Sequence, residues 1–314
     1  MSEFDVVVVG GGAAGLSAAL VLSRARRRVA VVDAGHPRNA PAAHMHGFLS
    51  RDGLPPDELL AMGREEVRGY GGHIIHSTVV RAVRGTGSDF ELRLSDGSVL
   101  RARRLVVATG LRDVLPDIPG VGERFGRDVL HCPYCHGYEV RDRPIAVLGA
   151  TADDVEYAQL VRQWSADVVL FPHTGALTAE QRQQLAARAI DVVDGPVARL
   201  VVEDDRLSGL QLHDGRVVPR AAVFIRPRFV PHDELLVALG AATDDRGWVV
   251  ADAVGRTTVE GVWVAGNAAN PRAQVITAAG EGSAAAIALN ADLVEEDVAD
   301  AVERTHVEPT RTSS

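Results

Sequence analysis

The chain of 314 residues contains two cysteines, and they stand three apart. All of its thiol chemistry therefore lies in His131-Cys132-Pro133-Tyr134-Cys135-His136-Gly137-Tyr138-Glu139. A C-x-x-C pair can close a small disulfide ring and reopen it. Its surroundings can depress one thiol pKa until a nucleophilic thiolate is present at neutral pH. His136 follows directly, and an imidazole with an ordinary pKa of about 6.5 suits the taking and giving of protons that thiol exchange requires. Two blander readings compete. Half of a zinc site would need a second C-x-x-C or an H-x-x-x-H, and neither exists; His131 and His136 could complete four ligands only in a cramped local geometry. Two inert core cysteines are the other, but chance seldom sets a chain's only two cysteines at this spacing. A redox pair is the reading preferred, with catalytic candidates Cys132, Cys135 and His136 and no metal.

Such a pair must be positioned, and the rest of the chain supplies the elements. Phe4 to Val9 is a short, continuous apolar run, as expected of a parallel strand buried on both faces. Gly10-Gly11-Gly12-Ala13-Ala14-Gly15 follows, matching G-x-G-x-x-G, and Leu16, Ala19, Leu20 and Ser23 continue at helical spacing. Val29 to Val32 is a second strand, ending in Asp33. In this frame Gly10 makes the tight turn, Gly12 admits a pyrophosphate, Gly15 lets helix pack on strand, and Asp33 accepts ribose hydroxyls. The strand–turn–helix–strand–acid context makes this a dinucleotide site rather than a chance match.

Residues 34–56 read as a loop carrying His44 and His46, either at a cofactor edge or solvated. Asp57 caps a helix through Val67. Short strands follow at His73–Ser77, Val79–Arg84, Phe90–Ser95 and Ser98–Arg101, then a separate buried strand, Leu105 to Gly110. Pro116 and Pro119-Gly120 suggest a domain crossover. Pro144–Gly149 opens a second βαβ unit, with helices at Asp153–Trp164 and Thr178–Ala189. Gly261–Gly266 returns to the style of the first domain, Ala278–Leu293 is a helix rich in small residues, and the tail from Thr305 is polar.

Composition bounds the partners. The net charge is −9, with 46% apolar, 24% charged and 4% aromatic residues. No basic stripe with interleaved aromatics appears, which argues against nucleic acid; Arg24, Arg26, Arg27 and Arg28 read as a solvated face. The Val6–Val9 run is far too short for a signal peptide or a membrane span, so no membrane partner and a cytoplasmic location are expected.

The Gly10–Gly15 fingerprint, the strand end Ala108-Thr109-Gly110, the C-x-x-C in an inserted segment, and Val262-Trp263-Val264-Ala265-Gly266-Asn267 with Arg272, Gln274 and Thr277-Ala278 together resemble low-molecular-weight thioredoxin reductases. The match runs through nearly the whole chain. It implies an α/β protein of two Rossmann-like three-layer domains. The FAD-binding domain would be discontinuous, 1–112 and 245–314, with a smaller NAD(P)-type module, 113–244, inserted and carrying the C-x-x-C. It implies FAD held by Gly10, Gly12, Ala13, Ala14, Gly15, Asp33, Ala108, Thr109, Gly110, Gly266, Asn267, Gln274 and Val275. It also implies a homodimer, with Cys135 toward the flavin and Cys132 toward the substrate.

Four departures qualify the resemblance. The second glycine turn reads Gly149-Ala150-Thr151-Ala152-Asp153-Asp154. Thr151 stands where a glycine admits pyrophosphate, and two acids bring negative charge to a helix N-terminus. Phe171-Pro172-His173-Thr174 lacks both the arginines for a 2′-phosphate and the acid for a ribose diol. His136 replaces the usual acid, and Cys-x-x-Cys-His-Gly-Tyr-Glu looks like the flavin dithiol oxidases that close disulfides in microbial natural products. Asn267 stands where the family carries an acid. The expectation is an FAD-dependent dithiol:disulfide oxidoreductase that oxidises a small-molecule dithiol, with O2 as acceptor and without NADPH. The rivals are a disulfide reductase acting on a thioredoxin-like protein with NADPH or a ferredoxin-like donor, and a non-enzymatic flavin redox sensor.

Overall fold

The computed structural model describes residues 3–85 and 89–307. The chain divides into two compact units. The first comprises the chain up to Arg38, Asp57–Arg112, and the chain from Pro231; the second comprises Asn39–Pro56 and Asp113–Val230. The second unit thus takes in 39–56, which lies inside the 1–112 segment of the sequence division, and leaves 231–244 to the first.

In the first unit the apolar run becomes β1 (Phe4–Val9), followed by α1 (Ala13–Arg24), β2 (Val29–Asp33), α2 (Pro56–Gly69), β3 (His73–His76), β4 (Val79–Arg84), β5 (Phe90–Leu94) and β6 (Val99–Val107). The sheet order is β3-β2-β1-β6-β5-β4, and the strand Val262–Val264 pairs along β6. β1 is apolar at every position because both its faces are covered. Val6 and Val8 share a core with α1 and with Ala285, Leu289 and Leu293 of the long helix Val275–Val307. Val7 and Val9 share another with Phe90, Leu92 and Leu236.

β6 corrects the sequence reading, which breaks it into two strands around Arg101–Arg104. It is one strand of nine residues. Its N-terminal part pairs antiparallel with β5, and from Ala102 onward it pairs parallel with β1. The arginines do not interrupt it, because their heads find acids on the long helix: Arg103 lies 2.7 Å from Asp297, and Arg104 lies 2.6 Å from Asp292. The same acids explain why the helix continues past Leu293 to Val307, through the expected polar tail at Thr305; the tail beyond 307 lies outside the described residues. Among the described residues no helix is long and apolar enough to cross a membrane.

The long helix approaches α1 down to backbone contact. A Cβ at Gly282 would fall onto the carbonyl of Ala14. The second unit has a parallel five-stranded sheet ordered 191–192, 168–171, 145–148, 222–225, 129–130, with an antiparallel three-stranded sheet formed by 197–203, 206–212 and 217–219. Both units are therefore α/β with Rossmann-like sheets.

Two glycines of one helix should respond oppositely to the same change. Gly282→Ala forces a side chain into the Ala14 backbone and should destabilise by about 1–3 kcal/mol. Gly280→Ala meets nothing within 4 Å and should stabilise by up to about 1 kcal/mol from helix propensity alone. Urea unfolding of the two variants checks the sign at each position.

Candidate active site

The first unit presents a cradle at the end of β1. Gly10 has φ of 105°, and a Cβ there would strike the Ala108 carbonyl; a Cβ at Gly15 would strike the carbonyl of Gly10. Gly12 differs. It is the N-cap of α1, no side chain caps the helix, and a Cβ there would meet nothing within 4 Å. The first turn of α1, with Ala13 and Ala14, carries no acid. Its N–H groups and the positive end of the helix dipole therefore face open space, as an anion site requires. Asp33 closes the turn from β2 by accepting from the Gly11 N–H at 3.1 Å. This donor set and the open position at Gly12 fit the pyrophosphate of FAD.

Other expected cofactor positions border the strand ends of the same unit. The Ala108 N–H continues the β1 ladder to Val9, the Thr109 hydroxyl donates to His232, and Gly110 accepts from the His232 N–H at 2.9 Å with φ of 73°. Gly266 sits at φ of 72°, and a Cβ there would lie 3.0 Å from that of Ala14. The Asn267 amide is occupied by its own loop, donating to Asn270 at 2.8 Å and Ala273 at 3.0 Å and accepting from Arg38 at 3.3 Å. Gln274 and Val275 stand where the long helix begins, and the Gln274 carbonyl accepts from Ala278. Glu281 went unnoticed in the sequence. Its carboxylate accepts from the Gly266 N–H at 2.9 Å and the Asn270 amide at 2.7 Å, fixing the segment that carries Asn267. The only sequence signal was its place among small residues.

In the second unit Cys132 and Cys135 are joined as a disulfide, with Cα atoms 5.2 Å apart. Cys132 is the N-cap of the one-turn helix Pro133–His136, and Pro133 suits its first position because that N–H needs no partner. The Tyr157 hydroxyl donates to the His131 carbonyl at 2.5 Å and so ties down the residue before the disulfide. Trp164 covers the far end: a Cβ on Gly137 would lie 2.8 Å from its ring. Tyr134, between the cysteines, is 64% exposed and meets Trp164 edge-on at 5.5 Å.

His136 is held below the ordinary histidine range chiefly by burial, against the pull of Glu139 and with a further push from His46. Its Nε2 is buried and has no hydrogen-bond partner among the described residues. The imidazole is therefore neutral at pH 7 and able to accept a proton. His46 is partly buried. It lies 3.3 Å from Asp52 and 3.5 Å from Glu139, within the same unit as the disulfide.

The second glycine turn is filled by the chain itself. Thr151 caps the helix Ala152–Val161: its hydroxyl accepts from the Asp154 N–H at 3.2 Å, and the Asp154 carboxylate accepts from the Thr151 N–H at 2.9 Å. Asp154 is buried, and a Cβ on Gly149 would run into its side chain. The sequence reading has both acids repelling phosphate; the structure revises this. Arg226 lies 2.8 Å from Asp153 and 3.5 Å from Asp154, so much of their charge is countered, and the obstacle is occupancy. His173, at φ of 57°, accepts the Val197 N–H through Nδ1 at 3.0 Å and serves the turn.

The profile described as pyridine nucleotide-disulphide oxidoreductase matches residues 4–282. The thioredoxin reductase sirT of Leptosphaeria maculans is 31% identical over 95% of this chain and 97% of its own length. The crystal structure of HlmI is 56% identical, covers 96% of each chain and superimposes with a TM-score of 0.94. That of the putative thioredoxin reductase TrxB from Bacillus anthracis is 33% identical, covers 94% of this chain and 100% of its own, and gives a TM-score of 0.90.

The open space at Gly12 makes a separable variant. Gly12→Val leaves the protein's own contacts untouched but fills the anion site, so it should fold with a melting temperature near the parent's and purify with little bound FAD. The parent should carry about one FAD per chain. Flavin absorbance after gel filtration, together with thermal unfolding of both proteins stripped of FAD, measures the two effects.

Proposed function

The chain belongs to the pyridine nucleotide-disulphide oxidoreductase family, as a thioredoxin reductase-like FAD flavoprotein, and from that premise we propose that it oxidises a dithiol to a disulfide through Cys132 and Cys135, with O2 as acceptor and without NADPH. One contrast carries this reading: the N-terminus of α1 is uncapped and open, whereas that of Ala152–Val161 is closed by Thr151 and Asp154. A nicotinamide dinucleotide would have to displace a capping box worth about 0.5–2 kcal/mol and leave the buried Asp154 carboxylate without its donors. Family membership gives the architecture, but nucleotide use resides in the turn, and this turn is changed.

The chemistry then falls to the residues around the disulfide. Neutral His136 takes the proton of a substrate thiol. The thiolate attacks Sγ of Cys132, forming a mixed disulfide and expelling Cys135 as thiolate. The second substrate thiol attacks the substrate sulfur of that bond, closes the product disulfide and releases Cys132. Two electrons have then passed to the cysteine pair. Bound FAD would supply the two-electron chemistry between the cysteine pair and O2, so that one dithiol and one O2 would give one disulfide and one hydrogen peroxide. The Gly10–Gly15 turn and Asp33 would bind and orient it, with Ala108–Gly110 and Gly266–Val275 lining the same unit. Assembly as a homodimer is supported by Ile287, Val294, Val298 and Val302, exposed at helical spacing on the long helix. A cytoplasmic setting belongs to the same proposal. A second reading, reduction of a thioredoxin-like protein with an external reductant, draws its support from the names of the relatives.

Anaerobic stopped-flow mixing separates the two. Dithiothreitol should bleach the bound flavin at least about tenfold faster than NADPH or NADH, since losing the cap and leaving Asp154 unpaired together cost a nucleotide about 1.5–5 kcal/mol, an order of magnitude or more in affinity. Bleaching by NADPH at catalytic rates would replace the oxidase reading with the reductase one.

His136→Ala should slow bleaching by dithiothreitol about 10²–10⁴-fold. In the parent the rate should fall on acidification only below about pH 6.5, because burial lowers the pKa of His136 from its ordinary value. A variant rate within about threefold of the parent makes His136 a packing residue.

A further inference from the structure

The helix Ala152–Val161 closes its own N-terminus with a cap, yet it and the turn after it grip the disulfide segment from both sides. From the middle of the helix, Tyr157 donates to the His131 carbonyl at 2.5 Å, with the Ile225 carbonyl a more distant acceptor at 3.5 Å. The Tyr157 ring stands edge-on to Phe224, with centroids 6.3 Å apart. Just beyond the helix, the Trp164 ring lies against Gly137 and Tyr134, and the Trp164 carbonyl accepts from the Asp142 N–H at 2.9 Å. Trp164 thus supports the chain around and after Cys135, and Tyr157 the chain before Cys132. The His131 carbonyl and the Cys132 N–H share one rigid peptide plane. Pinning that oxygen therefore constrains where the Cys132 Cα sits and how its side chain leaves the backbone. In the closed disulfide the covalent ring supplies a similar restraint. When the ring opens that restraint is lost, and the hydroxyl remains. Burial pushes the Tyr157 hydroxyl well above the ordinary tyrosine range, with Asp154 adding to the push and Arg226 opposing it. It stays a donor at every working pH and takes no part in proton transfer.

We infer that Tyr157 is a positioning residue for thiol exchange: its hydroxyl holds the His131–Cys132 peptide so that Sγ of Cys132 stays presented to the substrate through the mixed-disulfide stage. This rests on the dithiol reading of the same centre, with Cys132 as the sulfur attacked. It adds no bond-making step to that sequence. When Cys135 leaves as thiolate, the Cys132 side is no longer braced by the ring. The second substrate thiol must then meet the substrate sulfur in line with its bond to Cys132. A misplacement of about 1 Å at such a point can cost about 10²-fold in rate. Tyr157 touches no reacting atom and acts through the peptide it holds. A helix closed to outside anions at its N-terminus is thereby put to use from its side.

The test uses the FAD-loaded enzyme with dithiothreitol, followed as turnover with O2 and, under nitrogen, as flavin bleaching. Tyr157→Phe keeps the ring beside Phe224 and removes the hydroxyl. It should lower kcat and the bleaching rate at least about tenfold, while KM changes less than about threefold. The loss should be the same factor at every pH, leaving the shape of the parent's pH profile unchanged, because the hydroxyl does not titrate. Ser165→Ala controls for stability. The Ser165 hydroxyl belongs to a buried residue and makes a tie of the same kind, donating at 2.6 Å to the Arg143 carbonyl beyond the disulfide segment. Its loss should lower the melting temperature comparably and leave kcat within about twofold of the parent. Either of two results overturns the assignment. One is a Tyr157→Phe enzyme whose kcat stays within about twofold of the parent. The other is an equal loss of kcat in Ser165→Ala, which would make both hydroxyls general supports of the unit. A parent enzyme whose flavin dithiothreitol does not bleach would instead overturn the dithiol reading, and this assignment with it.

Discussion

The first unit depends on a contact at Ala14 from which side chains are excluded. The long C-terminal helix reaches the Ala14 carbonyl only because residue 282 is glycine, and Gly266 comes within van der Waals reach of the Ala14 side chain. On the other side, Gly15 rides on the Gly10 carbonyl. Any Cβ among these positions would push α1 off the sheet and swing its N-terminus away from the strand ends. The cradle is therefore defined by the backbone, and its precision comes from dense packing in which small displacements are resisted.

Against that background the two helix N-termini explain how one architecture can serve two purposes. Both follow a buried parallel strand and a glycine at positive φ, Gly10 in one and Gly149 in the other. At α1 the chain leaves its N–H groups to an outside anion. At Ala152–Val161 it supplies its own, in the Asp154 carboxylate. The change needs no new fold, since a threonine and an aspartate at capping-box spacing suffice. The second unit also holds the disulfide, with Tyr157 at one end and Trp164 at the other.

Features set by neighbouring residues were legible in the sequence. The strand–glycine–helix–acid fingerprint, the C-x-x-C pair and the altered second turn are each complete within a few dozen residues, and the physics that makes them work is local. What escaped was settled by partners far away in the chain. Arg101, Arg103 and Arg104 made β6 look broken, because the acids that answer Arg103 and Arg104 lie nearly 200 positions on. The helix looked finished at Leu293 for the complementary reason. The contact of His46 with Glu139 was not legible because the two belong to different stretches of sequence, and Glu281 went unnoticed in a helix of small residues. A side chain's role is readable early when its partner is a backbone group nearby, and late when its partner is another side chain across the fold.

The placement of Gly282 also bears on how the protein is made. β1 and α1 precede the second unit in the chain, but part of the core around Val6, Val8 and Ala14, from Trp263 to Leu293, follows residues 113–230. Until those residues are made the nascent chain must carry α1 without the long helix it packs against. Residues 113–230 can meanwhile assemble their own cores behind it. Closure of the first unit thus has a very large loop to close, and β1 is a segment in need of protection by chaperones until then.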